Sequence, residues 1–145
     1  MNKVEMSQNY FKNGFNCSQA VFTTFAVDMG MSEEMALKVA TQFGGGARKG
    51  EMCGAVSGAL MVLGLKYGHY HEGALEEKAK AYSIAEDFMN CFIEKNGTVV
   101  CRELLGYDLT KPEDMAKIKE LDLFKITCPK MIQCATEIVE EMLQE

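Results

Sequence analysis

Only two prolines occur in 145 residues, and no apolar/polar alternation lasts beyond a few positions, so the period-two signal of a β-sheet is missing. There is no Cys-x-x-Cys, which disfavours thioredoxin-type chemistry and ordinary zinc ribbons. There is no Cys-x-x-Cys-His either, so covalent attachment of a c-type haem is not expected. Three glycines stand together at Gly44, Gly45 and Gly46, yet no GxxxxGK[ST] follows and no strand precedes them, which removes the nucleotide P-loop. No Lys/Arg stripe offsets a formal charge of -6, so neither nucleic acid nor an anionic membrane is expected as a partner. The opening MNKVEMSQNYFKNGF has no apolar signal-peptide core. The longest uncharged run, Met52 to Leu65, falls short of the ~20 residues a bilayer span needs. A cytoplasmic protein is the expectation.

What is present reads as helices. Hydrophobic residues at 48% and charged ones at 25% suit one domain, residues 1–145, around one core. A first helix over about Lys3 to Lys12 meets Asn13-Gly14, a left-handed stop signal. A second starts at Asn16 or Cys17, where Cys17, Ala20, Val21, Thr24 and Phe25 make a buried stripe, and Gly30 ends it. Ser32 caps a third, whose inner face is Ala36, Val39, Ala40 and Phe43. A fourth, about Met52 to Tyr67, is apolar nearly all round and belongs at the centre. Gly54 and Gly58 share one face of it, a device for close helix crossing.

The fifth, about Glu72 to Lys95, shows a stripe of Leu75, Ala79, Tyr82, Ala85, Met89 and Phe92. A helical turn runs from Cys101 to Gly106, and a further helix from Thr110-Pro112 to about Leu121. The last is expected to begin at Cys128-Pro129, since proline suits a first turn. The fold class is all-α: a compact bundle of six to seven helices around a central Gly/Ala-rich helix.

Six cysteines in a reducing compartment should be free, metal-bound or redox-active rather than structural bridges. Cys17, Cys53, Cys101 and Cys128 each fall at, or one residue from, an expected helix start. Unpaired amides and the dipole there stabilise a thiolate, the form that attacks disulfides and binds metals. Cys91 and Cys134 fall mid-helix on the flank of an apolar stripe, where cysteine acts as a small hydrophobe. Gly45, Gly46 and Gly50 supply positive φ angles for a tight turn ahead of Cys53, with an anion or ligand site as the alternative. Arg48 and Lys49 beside that thiol would lower its pKa and Glu51 would raise it. His69 and His71 have a His-x-His spacing, but a solvated loop accounts for them. The eleven methionines are packing residues first.

The blocks NCSQAV (Asn16 to Val21), FGGG with GEMCGAVSGALMVLG, CRELLGYDL (Cys101 to Leu109) and LFKITCPKM together resemble a prokaryotic family. It is named for its cysteine pattern, C…GCAxxG…C…C, and described as redox-active. The resemblance spans nearly the whole chain. It maps the four family cysteines onto Cys17, Cys53, Cys101 and Cys128 and leaves out Cys91 and Cys134. Where the family label reads Gly-Cys-Ala, this chain has Cys53-Gly54-Ala55.

Three functions remain open at this point. In the first, Cys17, Cys53, Cys101 and Cys128 carry thiol–disulfide or electron-transfer chemistry with an unidentified donor, acceptor or small molecule, Cys53 being the attacking thiolate. In the second, the same four thiols ligate an Fe–S cluster or zinc. In the third, they are packed within a non-catalytic binding or assembly module. A homodimer through the Gly54/Gly58 face is a further expectation.

Overall fold

A computed structural model describes residues 1–144, and its architecture is set where two buried helices cross. Eight helices follow in order: α1 (Lys3–Lys12), α2 (Cys17–Ala26), α3 (Glu33–Ala40), α4 (Gly54–Tyr67), α5 (Leu75–Asn96), α6 (Cys101–Leu105), α7 (Pro112–Glu120) and α8 (Leu123–Leu143). The count exceeds the expected six to seven by including the short α6. α2 is buried along almost its whole length and lies across α4. A Cβ on Gly54 would meet the Ser18 amide nitrogen at 3.0 Å, and one on Gly58 would meet the Ser18 carbonyl oxygen at 2.8 Å. The glycine face therefore serves a crossing inside the chain, and the sequence-based alternative of a subunit interface there does not hold.

Local chemistry fixes the helix ends. At α2 the Asn16 side chain accepts from the Gln19 amide and the Gln19 side chain accepts from the Asn16 amide, both at 2.9 Å, a reciprocal capping box. Ser32 caps α3 by accepting from the Met35 amide, as expected. Left-handed Gly97 and Gly106 terminate α5 and α6, relieving the last carbonyls without a Cβ penalty. α1 is tied to α8 by a buried hydrogen bond from the Thr136 hydroxyl to the Ser7 hydroxyl, 3.1 Å, and to the turn after α2 by the Lys3–Asp28 ion pair.

Three expectations need correction. α8 begins at Leu123, after left-handed Asp122, and Pro129 lies inside it. Proline there removes one bond, the one to the Lys125 carbonyl, and the helix survives because its remaining turns are packed. Cys128 is thus not at a helix start. The α5 stripe holds only in its second half, where Phe92 is buried and Met89 packs on the core. Phe88 and Phe92 are fully buried, whereas Leu75 is 73% and Tyr82 58% exposed, because the first half of α5 runs beyond its neighbours. Val39 and Phe43 are exposed rather than inward.

Two apolar clusters result. The larger joins α2, α4, α5 and α8 through residues such as Phe22, Val56, Phe88 and Ile132. The smaller consists of Cys101, Leu105, Leu109 and Ile118, with Phe124 packed on it. Cys128 packs against both, so it marks the seam. Among the described residues no helix is long and apolar enough to cross a membrane.

Candidate functional site

Separate pieces of local structure deliver each thiol to that seam. Cys17 is the first residue of α2, held by the capping box. Cys53 directly precedes α4, and its amide donates to the Val99 carbonyl at 2.7 Å. The Cys101 amide donates to the Glu51 carbonyl at 2.5 Å, and Met52 pairs antiparallel with Val100. In that register Cys53 and Cys101 are diagonal neighbours on one face, roughly 7–8 Å apart. Cys128 arrives from the second turn of α8.

All four thiols line one cavity of about 280 Å³. Its remaining wall is largely apolar, formed by Phe11, Leu104, Leu105, Leu109, Met115, Phe124 and Met131, and Arg48 is the charged residue on it. Arg48 is itself exposed.

The glycines make room for this arrangement. A Cβ on Gly45 would sit 2.7 Å from the Arg48 Nη2, one on Gly46 3.0 Å from the Cys101 Cβ, and one on Gly54 3.2 Å from the Cys17 Cβ. The chain reaches Arg48 through consecutive left-handed residues, with φ of 66° at Gly45, 63° at Gly46, 55° at Ala47 and 67° at Arg48. For the two non-glycine residues this costs roughly 1–2 kcal/mol each. Such strain persists where surrounding structure holds it and clusters at functional sites.

Burial, rather than the helix ends, dominates how Cys53 and Cys101 titrate. It pushes Cys53 up to about 11, although the nearby Ala55 and Val56 amides oppose the rise. It pushes Cys101 up to about 12, with the Cys53 and Cys128 charges adding and Arg48 opposing. Cys17 is raised well above its ordinary value, first by its hydrogen bond with Cys128 and then by burial. Cys128 alone of the four is lowered, because the Cys17 thiol donates to it and outweighs its own desolvation. The expectation that helix starts depress the pKa of all four is overturned. The favoured thiolate is the one inside a helix, and Cys53, 6% exposed, is not the accessible one.

Cys91 and Cys134 do not line the cavity. Cys91 packs against the main core. The Cys134 sulfur accepts from Asn96 Nδ2 at 3.3 Å and lies near enough to Cys53 to oppose its ionisation. His69 and His71 are exposed, the latter against Tyr70. Among the described residues no group of three or more His, Cys, Asp or Glu is arranged to hold a metal ion. A single zinc with Zn–S bonds near ~2.3 Å therefore does not fit. Sequence reasoning did not find the walls, Phe11, Leu109 and Phe124. Nothing in their spacing relates them to the cysteines. Arg48 did carry a signal, as a lone cationic pair with Lys49 inside a glycine run.

A family model described as "Putative redox-active protein (C_GCAxxG_C_C)" matches residues 15–142, a span that includes all four cavity thiols. No curated protein and no solved structure matches.

Proposed function

The chain belongs to the C_GCAxxG_C_C family, and from that premise we propose that it is a thiol–disulfide redox protein in which Cys128 attacks and Cys17 resolves. One observation carries the reading: four thiols from remote segments line one cavity, with Cys17 and Cys128 near enough to shift each other's ionisation. The Cys128 thiolate attacks one sulfur of a substrate disulfide. The substrate S–S bond breaks, a thiolate leaves and takes a proton from solvent, and Cys128 holds the mixed disulfide.

Cys17 then gives up its proton and attacks the Cys128 sulfur. The second substrate thiolate leaves, and the Cys17–Cys128 disulfide remains. Two electrons have passed from the dithiol to the substrate. Arg48, on the cavity wall, favours the thiolate of Cys101. Cys53 and Cys101 line the same cavity, and at roughly 7–8 Å they lie beyond the reach of a direct bridge to each other.

The test is an anaerobic titration of reduced protein with a small disulfide. It should consume two thiols per molecule and be reversed by dithiothreitol. Unchanged thiol content would contradict the proposal.

The same convergence supports a second reading, an Fe–S cluster. Fe–S clusters are held by four cysteine thiolates, the number that line this cavity. Cys17, Cys53, Cys101 and Cys128 would hold it, and it would supply one-electron transfer. Protein purified without oxygen that absorbs in the visible and contains iron and sulfide would favour this over the first.

A further inference from the structure

A second concavity, about 600 Å³, adjoins the thiol cavity and is lined by Gln8, Phe11, Lys12, Phe124, Lys125 and Pro129. Phe11 and Phe124 belong to both walls. Three consecutive pairs straddle the divide: Phe11 with Lys12, Phe124 with Lys125, and Cys128 with Pro129. The sulfur that attacks is thus next in sequence to the groove's own lining. Gln8 Nε2 donates to the Pro129 carbonyl at 2.7 Å and holds α1 against α8 at this point.

The groove's charge is opposite to that of the molecule. Lys12 and Lys125 are both exposed, neither takes part in an ion pair among the described residues, and no acidic residue lines the groove, in a chain of net charge -6. Its size is that of a small-molecule site, for which roughly 300–1,000 Å³ is usual.

We propose that this groove binds one half of a carboxylate-bearing, low-molecular-weight disulfide. Lys12 and Lys125 pair its carboxylates, the Phe11 and Phe124 rings cover its aliphatic part, and its S–S bond is presented to Cys128. The inference rests on the thiol–disulfide reading above and adds the substrate class. Attack by Cys128 breaks the bound S–S bond and leaves one half on the protein as a mixed disulfide. The other half departs as a thiolate that solvent protonates.

The experiment compares three disulfides on the reduced full chain: glutathione disulfide (anionic), 2-hydroxyethyl disulfide (neutral) and cystamine (cationic). Each rate of thiol loss is divided by that of 2-mercaptoethanol with the same reagent. The expected result is an anionic-over-neutral preference of about fivefold, the scale of two exposed ion pairs. The preference should disappear in the Lys12→Gln/Lys125→Gln variant. Two results would overturn the proposal: equal normalised rates, or a double variant slowed equally towards all three reagents. In either case the neutral disulfide still reacts, so thiol exchange stands and the groove is left to a larger partner. If no disulfide of any charge reacts, thiol exchange itself fails and takes this inference with it.

Discussion

A thiol surrounded by leucine and phenylalanine resists ionisation, and Cys53 and Cys101 obey that rule, while Cys17 is raised first by Cys128 and then by burial. Cys128 escapes it through a donor, the Cys17 thiol. Iodoacetamide at about pH 7–8 should therefore label Cys128 ahead of the other three, as peptide mapping would read. A lowered thiol pKa means that thiolate persists at pH values where an ordinary cysteine is protonated. Cys17→Ala should slow that labelling, and Cys17→Ser, which keeps a donor, should restore part of it. A purely structural Cys17 would not distinguish the two variants.

The raised pair makes a separate prediction with the opposite sign. Cys53 and Cys101 hold their protons more tightly folded than unfolded. Their stabilising contribution is intact below the ordinary value of 9.0 and is lost as pH rises towards about 11 and about 12. Thermal melts should show Tm falling as pH climbs above about 9, and less steeply in a Cys53→Ala/Cys101→Ala variant. At Ala47, φ of 55° puts a methyl group where glycine is preferred. Ala47→Gly should stabilise the chain by about 1 kcal/mol, measured by urea unfolding.

Two glycines of α4 make a matched test at the scale of the element. Gly58→Ala drives a Cβ to 2.8 Å from the Ser18 carbonyl oxygen, which neither helix backbone can yield without moving. A loss of about 1–3 kcal/mol is expected from overpacking. Gly64, in the same helix, is exposed and has nothing within 4 Å of an added Cβ. Gly64→Ala should gain about 0.5–1 kcal/mol from helix propensity. Denaturant midpoints of the two variants should move in opposite directions.

Most helix ends were legible because they are local. Asn16 with Gln19, Ser32, Gly97 and Gly106 act through residues a few positions away. The start of α8 was not legible. Pro129 resembles a first-turn residue, while the true start depends on Asp122 taking a left-handed conformation that its type merely permits. The α5 stripe misled for another reason. Periodicity identifies an apolar face, but only neighbours decide how much of its length is covered, and those lie elsewhere in the chain.

For the molecule as a whole, the four-block cysteine pattern picked out the thiols that line one cavity, and their meeting was beyond the sequence. Cys17 and Cys128 are brought together by α2 packing on α8, Cys53 and Cys101 by a single antiparallel bridge between two loops. Such long-range pairings are products of the complete core, so no window of residues encodes them. The same convergence gives the redox account its central claim, that Cys128 and Cys17 exchange a disulfide within one cavity. The most direct test is to oxidise reduced protein with one equivalent of disulfide, block the remaining thiols in acid, and map the bridged peptides by mass spectrometry. The account predicts that the first bridge to form joins Cys17 to Cys128, before any involving Cys53 or Cys101. A first bridge that includes Cys91, or intermolecular bridges alone, would contradict it.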